Sequence, residues 1–269
     1  MKKSMLSLAL VLAVAVHAQQ AAPTVEEIVA KANRAAYYQG KSGRARVAMV
    51  IRDAQGRERL REFTILRIDL EPAGDTADTF MGDQKFYVYF ERPADVNKMA
   101  YLVHKHVGQD DDRWLFMPGL NLVKRIAASD KRTSFVGSDF FYEDVSGRGT
   151  DADVHELSET TETYYVLKST PKDPKSVEFS SYKMWIHKTS FIPVKAECYN
   201  EKGEKIREAQ ALDVQQIQGF PTVTKSQMKD LRTGSTTTIS YNKVEYNTDL
   251  TEDLFSERYL RNPPRALLR

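Results

Sequence analysis

The chain of 269 residues contains a single cysteine, Cys198. One cysteine excludes an intramolecular disulfide framework. In the stretch VKAECYN, Cys198 shares strand parity with Val194 and Ala196, whereas Lys195 and Glu197 point to the opposite face. Because free cysteines are usually buried and unreactive, we expect a small core residue here rather than a reactive thiol.

The sequence also lacks an apolar run long enough to span a bilayer, which requires about 20 residues. The longest run extends from Met5 to Val16, after Lys2 and Lys3, and ends in the small-x-small pattern Val16-His17-Ala18. This arrangement predicts a secretory signal peptide over residues 1–18. No cysteine follows it that could be lipidated. We therefore expect a soluble periplasmic protein after cleavage near Ala18.

An excess of positive charge is missing as well. Removal of Lys2 and Lys3 with the signal peptide lowers the 39 basic residues to 37, which equals the 37 acidic residues. Nucleic-acid binding requires a basic surface, so the composition predicts no nucleic-acid partner.

One segment has the pattern of an amphipathic helix. In PTVEEIVAKANRAAYY, Thr24 and Glu27 have the spacing of a capping box. The apolar residues that follow recur at helical spacing and form one stripe. They are Val25, Ile28, Val29, Ala32 and Ala36.

After Gly40 the helical period disappears, and short segments rich in Val, Ile, Thr and Tyr alternate with turn residues. The segments are 45–52, 60–68, 84–91, 99–106, 113–118, 121–126, 162–170, 182–188, 192–200, 205–214, 222–231 and 236–246. This spacing predicts one meandering antiparallel sheet in a single mainly β domain, residues 19–269. Such a sheet is either a flat sandwich or a curled barrel. Several strands are apolar on both faces, so one face requires a cover, and the N-terminal helix is the obvious candidate.

Residues 123–144 offer candidates for chemistry. Ser134, Ser138 and Asp139 could supply a nucleophile and an orienting group, but Phe140 stands where a nucleophile elbow needs glycine. A hydrolase would also need a base from elsewhere in the chain, and the candidates are His104, His106, His155 and His187. His104 and His106, followed by Asp110–Asp112, could alternatively bind zinc, although a solvated strand face is the commoner arrangement. We expect no metal, no cofactor and no catalytic residue.

The same segment is rich in aromatic residues, namely Phe135, Phe140, Phe141 and Tyr142. Burial of a large ring stabilises a protein by about 1.5–3 kcal/mol, so these rings should not be left in water. They either pack in the core or close the mouth of an apolar cavity, and the sequence leaves both possibilities open.

The segment WLFMPGLNLVKRIAASDKRTSFVGSDFFYEDV (114–145) resembles the outer-membrane lipoprotein-sorting proteins, a LolA-like family of the bacterial cell envelope. The opening PTVEEIVAKAN and the ending LTEDLFSERYL are similar too. The resemblance implies a LolA/LolB-like half-barrel, that is, a single curved antiparallel sheet of about 11 strands that forms an unclosed β-barrel covered by a helix and loops. It also implies that the concave apolar face holds acyl chains, and that relatives work beside inner-membrane transporters of the RND type.

We accordingly expect a periplasmic, non-covalent carrier of lipid or lipidated protein between the inner and outer membranes. Its expected partners are acyl chains, an RND-type transporter and an outer-membrane acceptor. The residues predicted to line the cavity and its rim are Phe86, Val88, Phe90, Leu102, Trp114, Phe116, Phe135, Phe140, Phe141 and Tyr142. Two alternatives stay open: an envelope adaptor or sensor without cargo, and a serine-dependent hydrolase.

Overall fold

The computed structural model describes residues 22–70 and 81–264. The predicted signal peptide lies outside these residues. Within the two described ranges, no helix is both long enough and apolar enough to cross a membrane.

The predicted N-terminal helix is confirmed as α1, Val25–Tyr37. Its capping box is complete, because the Glu27 amide donates to Thr24 Oγ1 at 3.2 Å and the Thr24 amide donates to Glu27 Oε2 at 2.9 Å. The apolar stripe packs on the sheet through Ile28 and Ala32, which are both buried. Two further short helices follow, α2 at Tyr142–Ser146 and α3 at Arg258–Arg261.

The remainder is a single antiparallel sheet with 13 strands among the described residues, two more than the approximate prediction. The strands are β1 Ser42–Arg52, β2 Glu58–Asp69, β3 Gln84–Arg92, β4 Ala100–Lys105, β5 Asp112–Met117, β6 Leu122–Arg125, β7 Asp153–Thr160, β8 Tyr164–Pro171, β9 Ser181–His187, β10 Pro193–Tyr199, β11 Lys205–Ile217, β12 Phe220–Asp230 and β13 Ser235–Tyr246. Their order is β6-β5-β4-β3-β2-β1-β13-β12-β11-β10-β9-β8-β7. Because β6 and β7 form the two edges and do not pair with each other, the barrel is unclosed, as predicted.

The topology places the turns at two ends of the sheet. The upper end carries the β1–β2, β10–β11 and β12–β13 turns, at residues 53–57, 200–204 and 231–234. The lower end carries residues 38–41, where α1 leads into β1, and the β11–β12 turn at residues 218–219.

Both faces of strands β2–β4 are buried, which explains their apolar character on either side. The inner face carries Val88, Tyr101 and Val103 in one large cluster. The outer face carries Tyr87 and Leu102 in a second cluster, which is covered by the C-terminal residues. In this second cluster Phe255 and Leu260 are fully buried, and the Tyr87 hydroxyl donates to the Tyr259 carbonyl at 2.7 Å.

Candidate functional site: an apolar cavity inside the half-barrel

A cavity of about 590 Å³ lies between α1, the inner face of the sheet and the segment that connects β6 to β7. We call residues 127–149 of this connection the cap segment. The volume falls within the range of about 300–1,000 Å³ that is usual for ligand sites. The wall is mainly apolar and includes Met49, Phe63, Ile65, Phe86, Val88, Leu167, Met184, Ile186 and Ile239.

Helix α1 presents mainly small side chains to this space, with Asn33 and Tyr37 as the larger exceptions. Val29, Ala32, Ala35 and Ala36 all line the cavity. Ala36 is exposed even though it stands on the apolar stripe. A larger residue at this position would occupy the volume that the helix leaves free.

The predicted site residues divide between two faces of the sheet. Phe86, Val88, Phe135 and Phe140 line the cavity. Phe90 and Tyr142 belong to the same inner cluster but lie behind its wall.

Leu102, Trp114 and Phe116 lie on the outer face instead, in the cluster covered by the C-terminal residues. The register explains this difference. Val88 pairs with Tyr101, so Tyr101 faces inward and its neighbour Leu102 faces outward. Leu102 pairs with Trp114, which shares the outer face. The predicted cavity residues therefore come from both faces of the sheet. Neighbouring residues of a strand point to opposite faces, so an error of one position places a side chain on the wrong face.

Phe135 is the central ring of the inner cluster beneath the cap segment. Its side chain is 2 % exposed. The ring centroid lies 5.4 Å from that of Tyr101, 5.7 Å from Tyr142 and 5.8 Å from Phe90. These separations are typical of packed aromatic pairs. Phe135 thus seals the upper end as a core residue, whereas the partly buried Phe140 faces the cavity.

Phe141 lies between two arginines at the upper end. The Arg207 guanidinium is 3.8 Å from the centre of the Phe141 ring, and that of Arg132 is 4.5 Å away. Cation–π contacts of this kind strengthen when they are removed from water. Phe141 therefore anchors the cap segment.

Acidic side chains balance the positive charge of both arginines. Arg132 donates to Glu178 Oε1 at 2.6 Å and to Glu143 Oε2 at 2.9 Å. Arg207 donates to Asp144 Oδ2 at 3.1 Å. Burial alone would raise the pKa of Glu178, but the hydrogen bonds and charge of Arg132 outweigh it, so this pKa lies below its usual value.

The cap segment is also tied to strands on both sides of the cavity. Arg59 of β2 donates to the Gly137 carbonyl at 3.0 Å, and Thr237 of β13 donates to Asp139 Oδ2 at 2.7 Å. Arg207 of β11 donates to the Asp139 carbonyl. On the far side, Lys105 of β4 donates to the Ser146 carbonyl at 2.7 Å. The cap segment is therefore a fixed wall that extends from the upper end, at Gly137 and Asp139, to the lower end of β4, at Ser146.

Gly147 marks a close approach between this wall and α1. Its φ of +79° is in the left-handed region, and a Cβ placed there would lie 2.5 Å from Cζ of Tyr37. Both the backbone conformation and the available space therefore require glycine.

The two candidate serines, Ser134 and Ser138, form hydrogen bonds within the cap segment. Ser138 is buried, and its hydroxyl donates to the Phe135 carbonyl at 2.7 Å. The Ser134 hydroxyl donates to the Ser138 carbonyl at 2.6 Å. These bonds are those expected of turn residues.

The histidines have other partners. His104 Nε2 is 2.7 Å from the Phe255 carbonyl on the outer face, and His106 Nδ1 is 3.1 Å from Asp83 Oδ2. His155 reaches Ser169, and His187 reaches Ser190. Among the described residues, no group of three or more His, Cys, Asp or Glu side chains has the arrangement of a metal site.

Cys198 lines the cavity near its upper end. Burial raises the pKa of its thiol to about 11, so the thiolate is disfavoured at neutral pH. Cys198 shares the cavity wall with Ala196, as their common strand parity implies, but it is half-buried instead of fully buried.

Some of the cavity wall was not anticipated from the sequence. Ala32 and Ala36 were expected only to form part of a packing stripe, and Ala35, Ile239 and Tyr241 were not singled out, although all line the cavity. The signal for α1 was available, because the last two residues of the stripe, Ala32 and Ala36, are alanines, which leave the space beside them unfilled.

A curved, unclosed antiparallel sheet with one helix against its concave side and an apolar cavity between them is the LolA-like fold. Two solved structures share it at comparable sequence identity. A DUF1329 family protein from Desulfovibrio piger is 27% identical, with a TM-score of 0.76 over 87% of this chain and 96% of its own. A putative outer membrane lipoprotein-sorting protein domain from Vibrio parahaemolyticus is 25% identical, with a TM-score of 0.75 over 87% of this chain and 97% of its own.

A LolA superfamily protein from Nitrosomonas europaea, 22% identical, has the same fold, with a TM-score of 0.64 over 88% of this chain and 100% of its own. No curated protein matches the chain significantly. A family model described as "-like: Uncharacterized protein" matches residues 82–262, which is more than half of the sequence, and the chain belongs to that family. The resemblance to the lipoprotein-sorting proteins is confirmed.

Proposed function

We propose that this protein is a periplasmic, non-covalent carrier of lipid or lipidated protein that shields acyl chains inside its half-barrel. The observation that carries the proposal is the apolar cavity of about 590 Å³. Dispersion and the hydrophobic effect favour such a cavity when apolar groups fill it. An adaptor without cargo would need no such space, so the cavity favours the carrier over this alternative.

The residues proposed to contact the cargo are those that reach the cavity, namely Phe86, Val88, Phe135 and Phe140 from the expected set, together with the α1 alanines. Burial is worth about 0.8 kcal/mol per CH₂ group, which gives a C16 chain roughly 12 kcal/mol at most before any costs. Cargo held this strongly would leave slowly for water. A carrier of this kind therefore needs a donor and an acceptor, and we propose an RND-type inner-membrane transporter and an outer-membrane acceptor in these roles.

The relatives support the proposal at the level of class. The Vibrio parahaemolyticus structure carries the description of a putative outer membrane lipoprotein-sorting domain. Its likeness extends over 87% of the present chain.

The experiment is a titration with a fluorescent C16 fatty acid. We expect saturable binding by the wild type and at least tenfold weaker binding by Ala36→Trp, whose indole would occupy the cavity. Ala30→Trp is the matched control, because Ala30 stands on the same helix but does not line the cavity. Equal binding by both variants would contradict the assignment of the cavity as the cargo site, and no binding by the wild type would contradict the carrier function.

A further inference from the structure

The sheet is incompletely paired at its lower end. The pairing of β12 with β13 ends at Lys225 and Ser240, although both strands continue to the lower end. The pairing of β10 with β11 ends at Lys195 and Gln210. Within the described part of the chain, residues 211–224 therefore form ladder pairs only between β11 and β12. We call them the ribbon.

The local sequence accounts for this separation. The pairing of β11 with β12 shifts register between Ala211 and Asp213 and again between Asp213 and Val214. Irregularities of this kind bend a strand and increase its twist. The ribbon closes through Gln218 and Gly219, both at positive φ, as a two-residue hairpin turn requires.

Side chains replace the missing ladder between the ribbon and the rest of the molecule. Gln39, just after α1, donates to the Pro221 carbonyl at 2.7 Å. Gln218 donates to the Tyr246 carbonyl at 3.2 Å and accepts from the Tyr246 amide at 2.7 Å. The hydroxyls of Thr222 and Tyr246 lie 2.9 Å apart.

These contacts stand directly over the cavity. Thr222 and Val223 line it from the ribbon, while Val244 and Tyr246 line it from β13. Gln39 lines it as well. The Gln39 Oε1 atom is buried and has no hydrogen-bond partner among the described residues. Burial of an unpaired oxygen costs free energy, so it destabilises the closed seam.

We propose that the seam between the ribbon and β13 is the portal through which the acyl chain enters and leaves the cavity. The inference rests on the proposed carrier function and specifies its route. Opening the seam breaks a few side-chain contacts and leaves every ladder pair in place. Opening the upper end would instead expose the Arg132 and Arg207 ion pairs and the core ring Phe135. The lower seam is therefore the easier route.

The test compares the rates of exchange in two variants. Gln218→Ala removes both amide contacts between the ribbon and Tyr246 at a residue that does not line the cavity, while Arg59→Ala removes one contact of the cap segment at the opposite end. Stopped-flow mixing with the fluorescent C16 fatty acid gives the association and dissociation rates, and a urea titration of each variant confirms that it is folded.

We expect Gln218→Ala to raise both rates by about tenfold, with a dissociation constant changed by less than about threefold, since two hydrogen bonds are lost from the closed state only. Arg59→Ala should leave both rates at their wild-type values. Unchanged rates in the glutamine variant, or an equal acceleration in Arg59→Ala, would overturn the portal while leaving the carrier function intact. If the wild type binds no fatty acid, the carrier function itself fails and the portal fails with it.

Discussion

The two ends of the half-barrel are closed by different chemistry. At the upper end, the cap segment is held by a buried ring, Phe135, and by ion pairs of Arg132 and Arg207. At the lower end, the ribbon is held by neutral contacts of Gln39 and Gln218. Loss of one partner from a buried ion pair is costlier than loss of a neutral hydrogen bond. This difference supports the proposed portal at the lower end.

The largest expected effect is that of Phe135→Ala. Truncation of a buried ring costs about 3–5 kcal/mol of unfolding free energy, because it removes apolar contacts and leaves a cavity. A urea titration gives the value, with Phe140→Ala as the matched control on the same segment. A loss below about 1 kcal/mol would show that Phe135 is not the core of the upper end.

The second expected effect is that of Arg207→Met. The Arg207 side chain is only 4% exposed, so the substitution removes a buried charge. The substitution keeps the apolar length of the side chain but leaves Asp144 and Glu178 with fewer cationic partners. We expect a loss of about 3 kcal/mol in urea, as is usual when one partner of a buried pair is removed. A loss equal to that of the exposed Arg57→Met would contradict the structural role of the ion pairs.

A smaller effect concerns pH. Because the pKa of Glu178 is lower in the folded state than in the unfolded chain, its contribution to stability is complete above the unfolded value and is lost as the pH falls towards the folded value. Urea titrations between pH 7 and pH 3 should show a steeper loss of stability in the wild type than in Glu178→Gln. Glu26→Gln, on the exposed face of α1, is the control and should follow the wild type. Parallel curves for the wild type and Glu178→Gln would be inconsistent with the ion pair.

The smallest expected change in stability is that of Phe140→Ala. This ring is only partly buried, so we expect a loss of about 1–2 kcal/mol from its apolar area. Because Phe140 lines the cavity, binding of the fluorescent fatty acid should weaken in the same variant. Destabilisation as large as that of Phe135→Ala, with unchanged binding by the folded fraction, would make Phe140 an ordinary core ring.

Much of the fold was predictable from local sequence. The capping box of Thr24 and Glu27 and the apolar stripe fixed α1, and the alternation of strand and turn residues predicted the antiparallel meander. Strand β7, at Asp153–Thr160, was missed, because an exposed edge strand carries polar residues on both faces and so lacks the apolar alternation. The short helix α3 was missed because a single turn has no measurable period.

The site was only partly predictable. Aromatic and aliphatic residues of β3–β5 were expected to line the cavity, but the face of each one depends on register, which is set by pairs such as Val88 with Tyr101. The sequence of one doubly apolar strand does not reveal which parity faces inward. The roles of Arg132 and Arg207 depend on contacts between residues far apart in the chain, which local patterns do not encode.

Native mass spectrometry of the protein purified from the periplasm without detergent tests the central claim most directly. We predict that part of the wild-type protein carries the added mass of an acyl-containing lipid. The same lipid-bound population should be present in the Ala30→Trp control and absent in Ala36→Trp. A wild-type spectrum that shows only the mass of the protein, and that gains no adduct after incubation with fatty acid, would contradict the carrier function.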